Sequence, residues 1–480
     1  MKIKAKMISL LFVFLIVFSS FSLISATSEI NDNVSVMIHF DQFRYLEQQC
    51  ENDALFRLEC NIGDERFESP IWDVSFFGAP LNWNISIFIP KNSSEIDISI
   101  SLYKSINGEQ ELCDLSEGLS LDAHTVNIKY HIETGWWDGD DSHGDLSGYG
   151  RLNGCDDGSI YEAENDAELW FTIFQEDMDG DNIPRAIEEE YGMDPFVDDA
   201  DIDYDQDGID SDWEWYFGYH PKQADDHQLL DPDNDSISNY EEFVTWNLYS
   251  SDPFRQDIFL EIDWMEPGPA VEKSEVPKKA EDRIYQPFHR RNIVFHFDSG
   301  IENGGELIPF SEITSRDEVL DIYEEYFIHH GQFTERRSIF HYGIVVYLCD
   351  VKGYGFSGDT GQGGYSPGTN AFIISSSQME LNTQKIYFKD RSLDNFYGSA
   401  MMHEMGHNFG IRFGEPFGCD NWFAKYPWQP LFWFIRNYKS MMNYQYTYSI
   451  FDYSDGSHGR GDFDDWDNID LTYFEYPNDT

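Results

Sequence analysis

Two histidines and a glutamate in the last part of the chain have the spacing of a metal-dependent hydrolase. Residues 403–410 read HEMGHNFG, so His403 and His407 stand four positions apart. On a helix this spacing puts both imidazoles on one face, where they can bind one zinc ion. Glu404 lies beside them, where it can take a proton from an attacking water and pass it to a leaving amine. The motif therefore predicts hydrolysis by a zinc-activated water.

A glycine and a methionine-containing turn extend this motif. Gly410 stands three positions after the second histidine, and residues 440–444 read SMMNY. Together these segments resemble metzincin zinc proteases, in which a HExxHxxG helix precedes such a turn. The resemblance covers roughly residues 255–480, is specific only at the helix and the turn, and implies an α/β domain with a mixed sheet. It also implies that Met442 forms an apolar floor under the metal and that Tyr444 binds the metal or the oxyanion of the intermediate.

The third zinc ligand departs from the pattern of that family. Metzincins have a histidine or aspartate three residues after the glycine, where this chain has Phe413, which cannot bind a metal. Cys419 is a plausible soft ligand, but a disulfide would consume it. We favour Asp420, since a carboxylate replaces the third histidine in some relatives. Glu415 and His458 are the other candidates.

Three acidic segments in the middle of the chain have the spacing of calcium loops. Each has carboxylates at loop positions 1, 3, 5 and 12. Oxygen ligands at that spacing wrap a calcium ion, and the glutamate at position 12 can bind through both oxygens. Position 6 must tolerate a positive φ, and Asn182, Gly208 and Ser236 occupy it. The predicted ligands are Asp177, Asp179, Asp181 and Glu188 in the first loop, Asp203, Asp205, Asp207 and Glu214 in the second, and Asp231, Asp233, Asp235 and Glu242 in the third.

These loops resemble the calcium-binding repeats of thrombospondin type 3 domains, dockerins and EF-hands. A merely solvated acidic linker is the alternative, but it does not explain why the terminal glutamate recurs three times. Only two basic residues, Arg185 and Lys222, lie between residues 176 and 245. Because so much negative charge is concentrated there, we expect the segment to hold together only with bound cations.

The whole chain is strongly acidic and begins like an exported protein. Among its 480 residues, 89 Asp and Glu stand against 31 Lys and Arg, and the net charge is −58. That excess repels phosphate backbones, which excludes an unaided nucleic-acid binder. Lys2, Lys4 and Lys6 precede an apolar run at residues 8–18, which is typical of a secretory signal over residues 1–26. An uncleaved membrane anchor is the alternative. Six cysteines favour disulfides in an oxidising compartment.

The remaining residues divide into three parts. Short alternating strands in residues 27–175 predict an antiparallel β-sandwich. Its outline resembles calcium- and lipid-binding sandwiches of the protein kinase C type, and a plain accessory sandwich is the alternative. Residues 176–254 hold the calcium repeats. In residues 255–480 strands alternate with helices, which predicts a mixed sheet covered by helices, with the zinc motif on a helix at 395–409.

These observations predict a secreted, calcium-stabilised zinc endopeptidase. We expect it to be a monomer that cleaves a protein or peptide substrate held extended against a sheet edge. The N-terminal sandwich is a candidate for attachment to a membrane or cell surface. The alternative is a calcium-dependent surface adhesin whose protease fold is inactive. Retention of Glu404 between the two histidines argues against that alternative.

Overall fold

The computed structural model describes most of the chain. The described residues are 33–46, 54–73, 78–90, 92–116, 124–140, 150–153, 165–181, 183–269, 271–301, 304–331, 336–349, 370–411, 414 and 416–474. The predicted signal segment at residues 1–26 lies outside them, as do Asn182, Phe413 and Glu415.

The N-terminal part consists of strands joined by turns and loops. The strands are β1 Asn33–Tyr45, β2 Leu55–Ile62, β3 Glu65–Glu68, β4 Trp72–Asp73, β5 Gly78–Pro90, β6 Glu95–Ile106, β7 Glu109–Leu112, β8 Val126–His131, β9 Trp137–Gly139, β10 Gly150–Asn153 and β11 Ala167–Phe174. One sheet has the order β10-β11-β1-β5, and the other has the order β3-β2-β6-β8-β9, with β4 on β2 and β7 on β6. Every pairing between these strands is antiparallel.

The two sheets share one hydrophobic core. Along β2, buried residues alternate with more exposed ones, because successive side chains of a strand point to opposite faces. Phe56 of β2 contacts Phe43 of β1 at 4.9 Å between ring centroids, which joins one sheet to the other. Trp137 and Phe171 extend the same core. Burial of these rings therefore holds the sheets face to face.

Three short helices follow, each after one of the acidic loops. They are α1 Arg185–Tyr191, α2 Ser211–Tyr216 and α3 Asn239–Tyr249. Aromatic side chains pack them together and against the N-terminal sheets: Trp213 and Trp215 are buried, and Trp215 contacts Phe174 at 6.3 Å between ring centroids. Trp170 joins the cluster of Trp213. The repeats thus lie against the sandwich.

The C-terminal part contains a second kind of sheet. Its strands are β12 Asp257–Met265, β13 Val294–Asp298, β14 Leu307–Ile308, β15 Phe340–Val346 and β16 Ala371–Ser375, and a short strand, β17 Phe417–Asp420, follows later. Its helices are α4 Lys278–His289, α5 Arg316–Ile322, α6 Arg336–Ile339, α7 Ser376–Thr383, α8 Leu393–Asn408 and α9 Phe432–Ile435. A π-helical turn, Tyr323–Phe327, continues α5, and 3-10 turns lie at His329–Gly331, Trp466–Asn468 and Leu471–Phe474.

The fold class predicted for this chain is wrong, because the predicted metzincin-like domain requires a mixed sheet. The order is β13-β12-β15-β16, with β14 on β12, and every pairing described in this sheet is parallel. Parallel neighbours need a crossover connection, and the chain supplies helical ones. Helix α4 connects β12 to β13, and α5 and α6 stand between β14 and β15.

Helix α8 carries the zinc motif and is buried along most of its length. Ser392 caps its start by accepting a hydrogen bond from the Asn395 amide. Met401, Met402 and Met405 are fully buried in the main C-terminal core. Apolar residues on several faces of a helix require cover on each of them, and α8 packs against α4, α7 and β16. The motif is therefore held on a rigid element.

Two further expectations concern the cysteines and the membrane. Cys60, Cys113 and Cys419 carry buried free thiols, so the six cysteines do not all pair as disulfides, while Cys50 and Cys155 lie outside the described residues. Each of these three thiols lies in a hydrophobic core: Cys60 and Cys113 in that of the N-terminal sheets, and Cys419 in that of the C-terminal part. Among the described residues, no helix combines the length and apolar character needed to cross a bilayer.

The contact of α8 with its neighbours can be tested at Gly398. A Cβ there would lie 2.9 Å from Phe451 Cζ and 3.2 Å from the Ala280 carbonyl oxygen of α4. We expect Gly398→Ala to lower the free energy of unfolding by about 1–3 kcal/mol, because the helices must move apart. Urea unfolding measures this. Ser399→Ala, which adds no volume to the same helix, is the control, and equal stability of both variants would contradict the packing.

Candidate metal centres

Three side chains from two distant segments meet beside α8. His403 Nε2 lies 3.1 Å from Asp420 Oδ1, and His407 Nε2 lies 3.3 Å from Asp420 Oδ2. One ligand atom from each residue lies within 4.8 Å of the others. His403 and Asp420 are largely withdrawn from solvent. These three donors could hold one metal ion, and of the proposed third ligands Asp420 is the one that reaches both histidines.

The other nitrogen of each histidine orients its ring. His403 Nδ1 lies 2.9 Å from the Met441 carbonyl oxygen, and His407 Nδ1 lies 2.6 Å from the Ile411 carbonyl oxygen. Since a carbonyl only accepts hydrogen bonds, this pattern assigns the proton to both Nδ1 atoms. The Nε2 lone pairs are then left for a metal, as in known metal-binding histidines.

The sequence after the motif creates the second of these carbonyl contacts. Gly410 has a φ of 91°, and its N–H donates to the His407 carbonyl at 3.1 Å. The Ile411 N–H donates to the Gly406 carbonyl at 2.9 Å. This pair of hydrogen bonds is a Schellman ending, which favours glycine at the left-handed position. It turns the chain so that Ile411 faces the ring of His407.

Asp420 depends on the methionine-containing turn for its position. It has a φ of 52°, and its N–H donates to the Met442 carbonyl at 3.1 Å. Met442 in turn packs closely on α8: a Cβ added to Gly406 would lie 2.4 Å from Met442 Sδ. Tyr444 stacks on His403 at 5.5 Å between ring centroids. The turn therefore supports both the aspartate and the first histidine.

The electrostatics of this centre favour a cation. Burial alone would raise the pKa of Asp420, but its hydrogen bonds to the two histidines outweigh burial and hold the pKa far below its usual value. Burial lowers the pKa of His407, yet Asp420 raises it to about 9 overall. Without a metal, a proton thus supplies the positive charge that the carboxylate requires. Burial, together with the Asp420 charge, raises the pKa of Glu404 although both histidines oppose it.

The remaining proposed ligands do not join these histidines. His458 Nδ1 lies 2.9 Å from Asp462 Oδ2 and 3.6 Å from Asp455 Oδ1, in a separate cluster. Cys419 is buried in the hydrophobic core, and burial raises the pKa of its thiol well above the usual value. A thiolate is the form that binds metal. Glu415 lies outside the described residues.

The acidic loops contain carboxylates that the protein itself leaves unpaired. Glu188, Glu214 and Glu242 are each 0% exposed. Among the residues that the structure describes, neither carboxylate oxygen of any of them has a hydrogen-bond partner. Burial and neighbouring aspartates raise the pKa of Glu188 to about 8 and that of Glu214 to about 9, and the pKa of Glu242 rises well above its usual value. Such groups are costly to bury without a partner, so their surroundings fit cations.

The backbone of the second and third loops has the turn that this arrangement requires. Gly208 and Ser236, at position 6, have φ values of 105° and 79°. The Gly208 N–H donates to Asp203 Oδ2 at 3.1 Å, and the Ser236 N–H donates to Asp231 Oδ2 at 3.2 Å. The first aspartate of each loop thus closes the turn and orients its carboxylate inward.

Sequence reasoning missed a further aspartate beside each loop. The backbone N–H of this further aspartate donates to the carboxylate of the position-5 aspartate. The pairs are Asp199 to Asp181 at 3.3 Å, Asp225 to Asp207 at 3.0 Å, and Asp257 to Asp235 at 2.6 Å. These partners stand 18, 18 and 22 residues further along the chain. An aspartate therefore recurs at a similar distance after each loop, and this spacing could have been recognised in the sequence. Asp181, Glu188 and Asp199 form a buried group that could hold a metal ion.

The second loop also has a nitrogen donor nearby. His227 is 1% exposed, and its Nε2 lies 3.4 Å from Asp207 Oδ2. Asn239 Nδ2 donates to its Nδ1 at 3.1 Å, so the proton of the neutral ring lies on Nε2, toward Asp207, and metal binding at Nε2 requires the Asn239 amide to turn its oxygen to Nδ1. Asp207, Glu214 and His227 together could hold a metal ion.

Comparisons with known proteins assign no family to this chain. No protein-family model matches it, and no curated protein does. Similar solved structures include human GIVD cytosolic phospholipase A2 in complex with methyl gamma-linolenyl fluorophosphonate, at a TM-score of 0.19 and 14% identity, over 30% of this chain and 17% of that one. A C2 domain of plant extended synaptotagmin 1 matches at a TM-score of 0.19 and 7% identity, over 29% of this chain and 93% of that domain. A pair of C2 domains of extended-synaptotagmin 2 matches at a TM-score of 0.20 and 10% identity, over 33% of this chain and 45% of that one.

Similarity at this level does not assign a function. The chain spans only a small part of the phospholipase. The structures named above include no zinc protease, so the metzincin resemblance stays a prediction from two short motifs. Independently of these comparisons, the structure holds groups of acidic and histidine side chains that could bind metal ions.

The role of Asp420 can be tested against that of His458. We expect Asp420→Ala to weaken zinc binding roughly 100-fold or more, because one of three donors is lost. We expect His458→Ala to leave zinc binding unchanged, because its ring contacts Asp462 instead. Titration of the metal-free protein with zinc, with a competing chelator, measures both. Equal affinities of Asp420→Ala and the wild type would exclude this ligand set.

The buried glutamates predict how stability depends on pH. Their pKa values in the folded state, about 8 for Glu188 and about 9 for Glu214, exceed the unfolded value of about 4.3. The stability that these two glutamates contribute to the metal-free protein is therefore fully present below that unfolded value and is lost as the pH rises toward about 9. We expect the melting temperature in a calcium chelator to fall over this range, and calcium to remove most of the fall.

The effect of Glu214→Gln on the melting temperature should change sign when calcium is added. In chelator at pH 9 the variant should melt higher than the wild type, because no buried charge forms. In calcium it should melt lower, because a ligand is missing. Glu190→Gln, at an exposed position of α1, is the matched control. A Glu214→Gln variant that melts like the wild type under both conditions would show that this glutamate faces no cation.

Proposed function

We propose that this protein is a zinc-dependent endopeptidase that calcium stabilises. The observation that supports the proposal is that Asp420 meets His403 and His407. The two histidines lie on the same buried helix as Glu404. Two nitrogen donors and one oxygen donor suit zinc, whereas calcium prefers oxygen ligands alone. Three protein ligands also leave a coordination position open, which is typical of catalytic rather than structural zinc sites.

The chemistry requires both an ion and a proton carrier. A zinc ion bound there would lower the pKa of a water molecule and polarise the scissile carbonyl. Glu404 would accept the proton that the attacking water gives up and deliver it to the leaving amine. It is only 6% exposed, and burial raises its pKa, which strengthens it as the base that accepts the proton of the water. His403 and His407 are held in their metal-binding tautomer by backbone carbonyls.

Tyr444 is suited to the oxyanion of the tetrahedral intermediate. Burial, reinforced by Asp420, raises the pKa of its hydroxyl far above the usual value. The hydroxyl therefore stays protonated at neutral pH and can donate a hydrogen bond. Its N–H donates to Asn421 Oδ1 at 2.7 Å, which ties the tyrosine to the residue after Asp420. Met442 supports the site from below.

The calcium loops contribute stability rather than chemistry in this proposal. Asp257 connects the third loop to the catalytic part: its N–H donates to Asp235 Oδ2, and it begins β12. Strand β12 lies between β13 and β15 in the sheet. A cation in the third loop would thus stabilise the start of a central strand.

The direct test is Glu404→Gln in the full chain. We expect hydrolysis of casein to fall by roughly 10²–10⁴-fold, because the proton carrier is lost, while zinc content is unchanged. Glu380→Gln on α7 is the control and should retain full activity. Activity is measured from fluorescent casein, and zinc from elemental analysis of the same preparations. If the zinc-loaded wild type cleaves no protein, or if Glu404→Gln cleaves as fast as it does, the proposal is wrong.

A further inference from the structure

One surface beside the zinc centre is unusually rich in exposed apolar side chains. We call it the aromatic surface; all of its members lie in residues 417–434 and are between 41% and 79% exposed. They are Phe417, Trp422, Phe423, Tyr426, Trp428, Leu431, Trp433 and Phe434. Isolated exposed apolar residues are ordinary, but eight of them within one segment of 18 residues indicate a surface that binds something.

These side chains project from the molecule. Phe423, Trp428 and Phe434 are 79%, 77% and 71% exposed. A side chain that lines a cleft is covered on part of its surface by the opposite wall, so exposures this high indicate protrusion. Tyr426 and Trp428 stack on each other at 4.7 Å between ring centroids, and neither is covered by the core. The surface is therefore shaped to enter a soft medium rather than to enclose a ligand.

The chain segment that carries most of the aromatic surface has a local charge opposite to that of the whole protein. Residues 421–451 contain no Asp or Glu, although the chain has 89 of them in 480 residues. The same residues carry three cations. Lys425 Nζ lies 5.8 Å from the ring centroid of Trp422, and Arg436 Cζ lies 5.7 Å from that of Trp433. Lys439 is exposed. Cations among exposed tryptophan rings are the side chains that favour the interface of an anionic membrane.

The aromatic surface also adjoins the zinc centre. Trp422 contacts Tyr444 at 4.9 Å between ring centroids, and Tyr444 stacks on His403. Asp420 immediately precedes this segment. Whatever the surface binds is therefore brought close to the three metal-binding side chains.

We propose that the aromatic surface docks on a lipid bilayer that carries anionic headgroups. The aromatic rings enter the interfacial layer, and Lys425, Arg436 and Lys439 face the headgroups. The net charge of −58 repels such a membrane, but physiological salt screens charges that lie more than about 8–10 Å apart. Attachment therefore depends on the charges nearest the membrane, which belong to this acid-free segment. If the protein is a protease as proposed above, docking would place cleavage of its substrates at a membrane, and this consequence rests on the proposed function. The docking itself does not rest on the proposed function.

The experiment compares two double variants of the full chain in saturating calcium. Phe423→Ser/Trp428→Ser removes two members of the aromatic surface. Phe196→Ser/Leu229→Ser removes two side chains of the calcium repeats that are 68% and 79% exposed, and is the matched control. Binding is measured by co-sedimentation with vesicles of phosphatidylcholine alone or mixed with phosphatidylserine. Every protein shares the same N-terminal segment and β-sandwich, so differences report the surface alone.

We expect the wild type and the control to bind the mixed vesicles equally, and the surface variant at least ten-fold more weakly. Binding to phosphatidylcholine alone should be weaker, and brominated lipids should quench tryptophan fluorescence of the wild type. No binding by the wild type, or an equal loss in both variants, would overturn the docking. A surface variant that binds vesicles normally but has a raised KM for soluble casein would show a protein-binding surface instead. Glu404→Gln should bind vesicles like the wild type, so a failure of the protease proposal can be distinguished from a failure of the docking proposal.

Discussion

The structure depends on neutralising carboxylates that are buried without a partner in the protein. Glu188, Glu214 and Glu242 are wholly withdrawn from water, and neither oxygen of any of them is hydrogen-bonded. Each also faces several aspartates of its own loop. In a medium of low dielectric this repulsion would open the loops unless protons or cations occupied them. With pKa values of about 8 and 9, Glu188 and Glu214 hold a proton at neutral pH when no metal is bound, whereas a cation would also offset the charges of the neighbouring aspartates.

The three loops also connect the other two parts of the molecule. Trp170, in the last strand of the N-terminal sheets, packs with the aromatic cluster of the repeats. Its ring nitrogen donates to Asp252 Oδ2 at 3.3 Å, and the Arg255 guanidinium lies over its ring. Arg255 also pairs with Asp257, the first residue of the C-terminal sheet. Loss of cations from the repeats would therefore loosen contacts on both sides of them.

The candidate zinc centre applies the same constraint in a different form. Asp420 is buried beside two imidazoles, and its charge raises the pKa of His407 until a proton occupies the site. A divalent ion would replace that proton and leave Glu404 as the group that exchanges protons with solvent. The acid-free segment at residues 421–451, which carries most of the aromatic surface, begins one residue after Asp420. The molecule thus separates its candidate sites by charge: groups that could bind cations lie in the acidic middle, and the proposed docking surface lies where acids are lacking.

The sequence by itself determined the features that depend on local spacing. Two histidines four positions apart share a helix face, and carboxylates at positions 1, 3, 5 and 12 surround one point, because backbone geometry sets both arrangements. Only the tertiary structure decided that Asp420, rather than His458, meets the histidines, and that Asp199 approaches the first loop. It also decided that every described pairing in the C-terminal sheet is parallel. These features bring together residues that are distant in sequence. Their contact depends on the path of the chain through its crossovers and turns, which local periodicity does not determine.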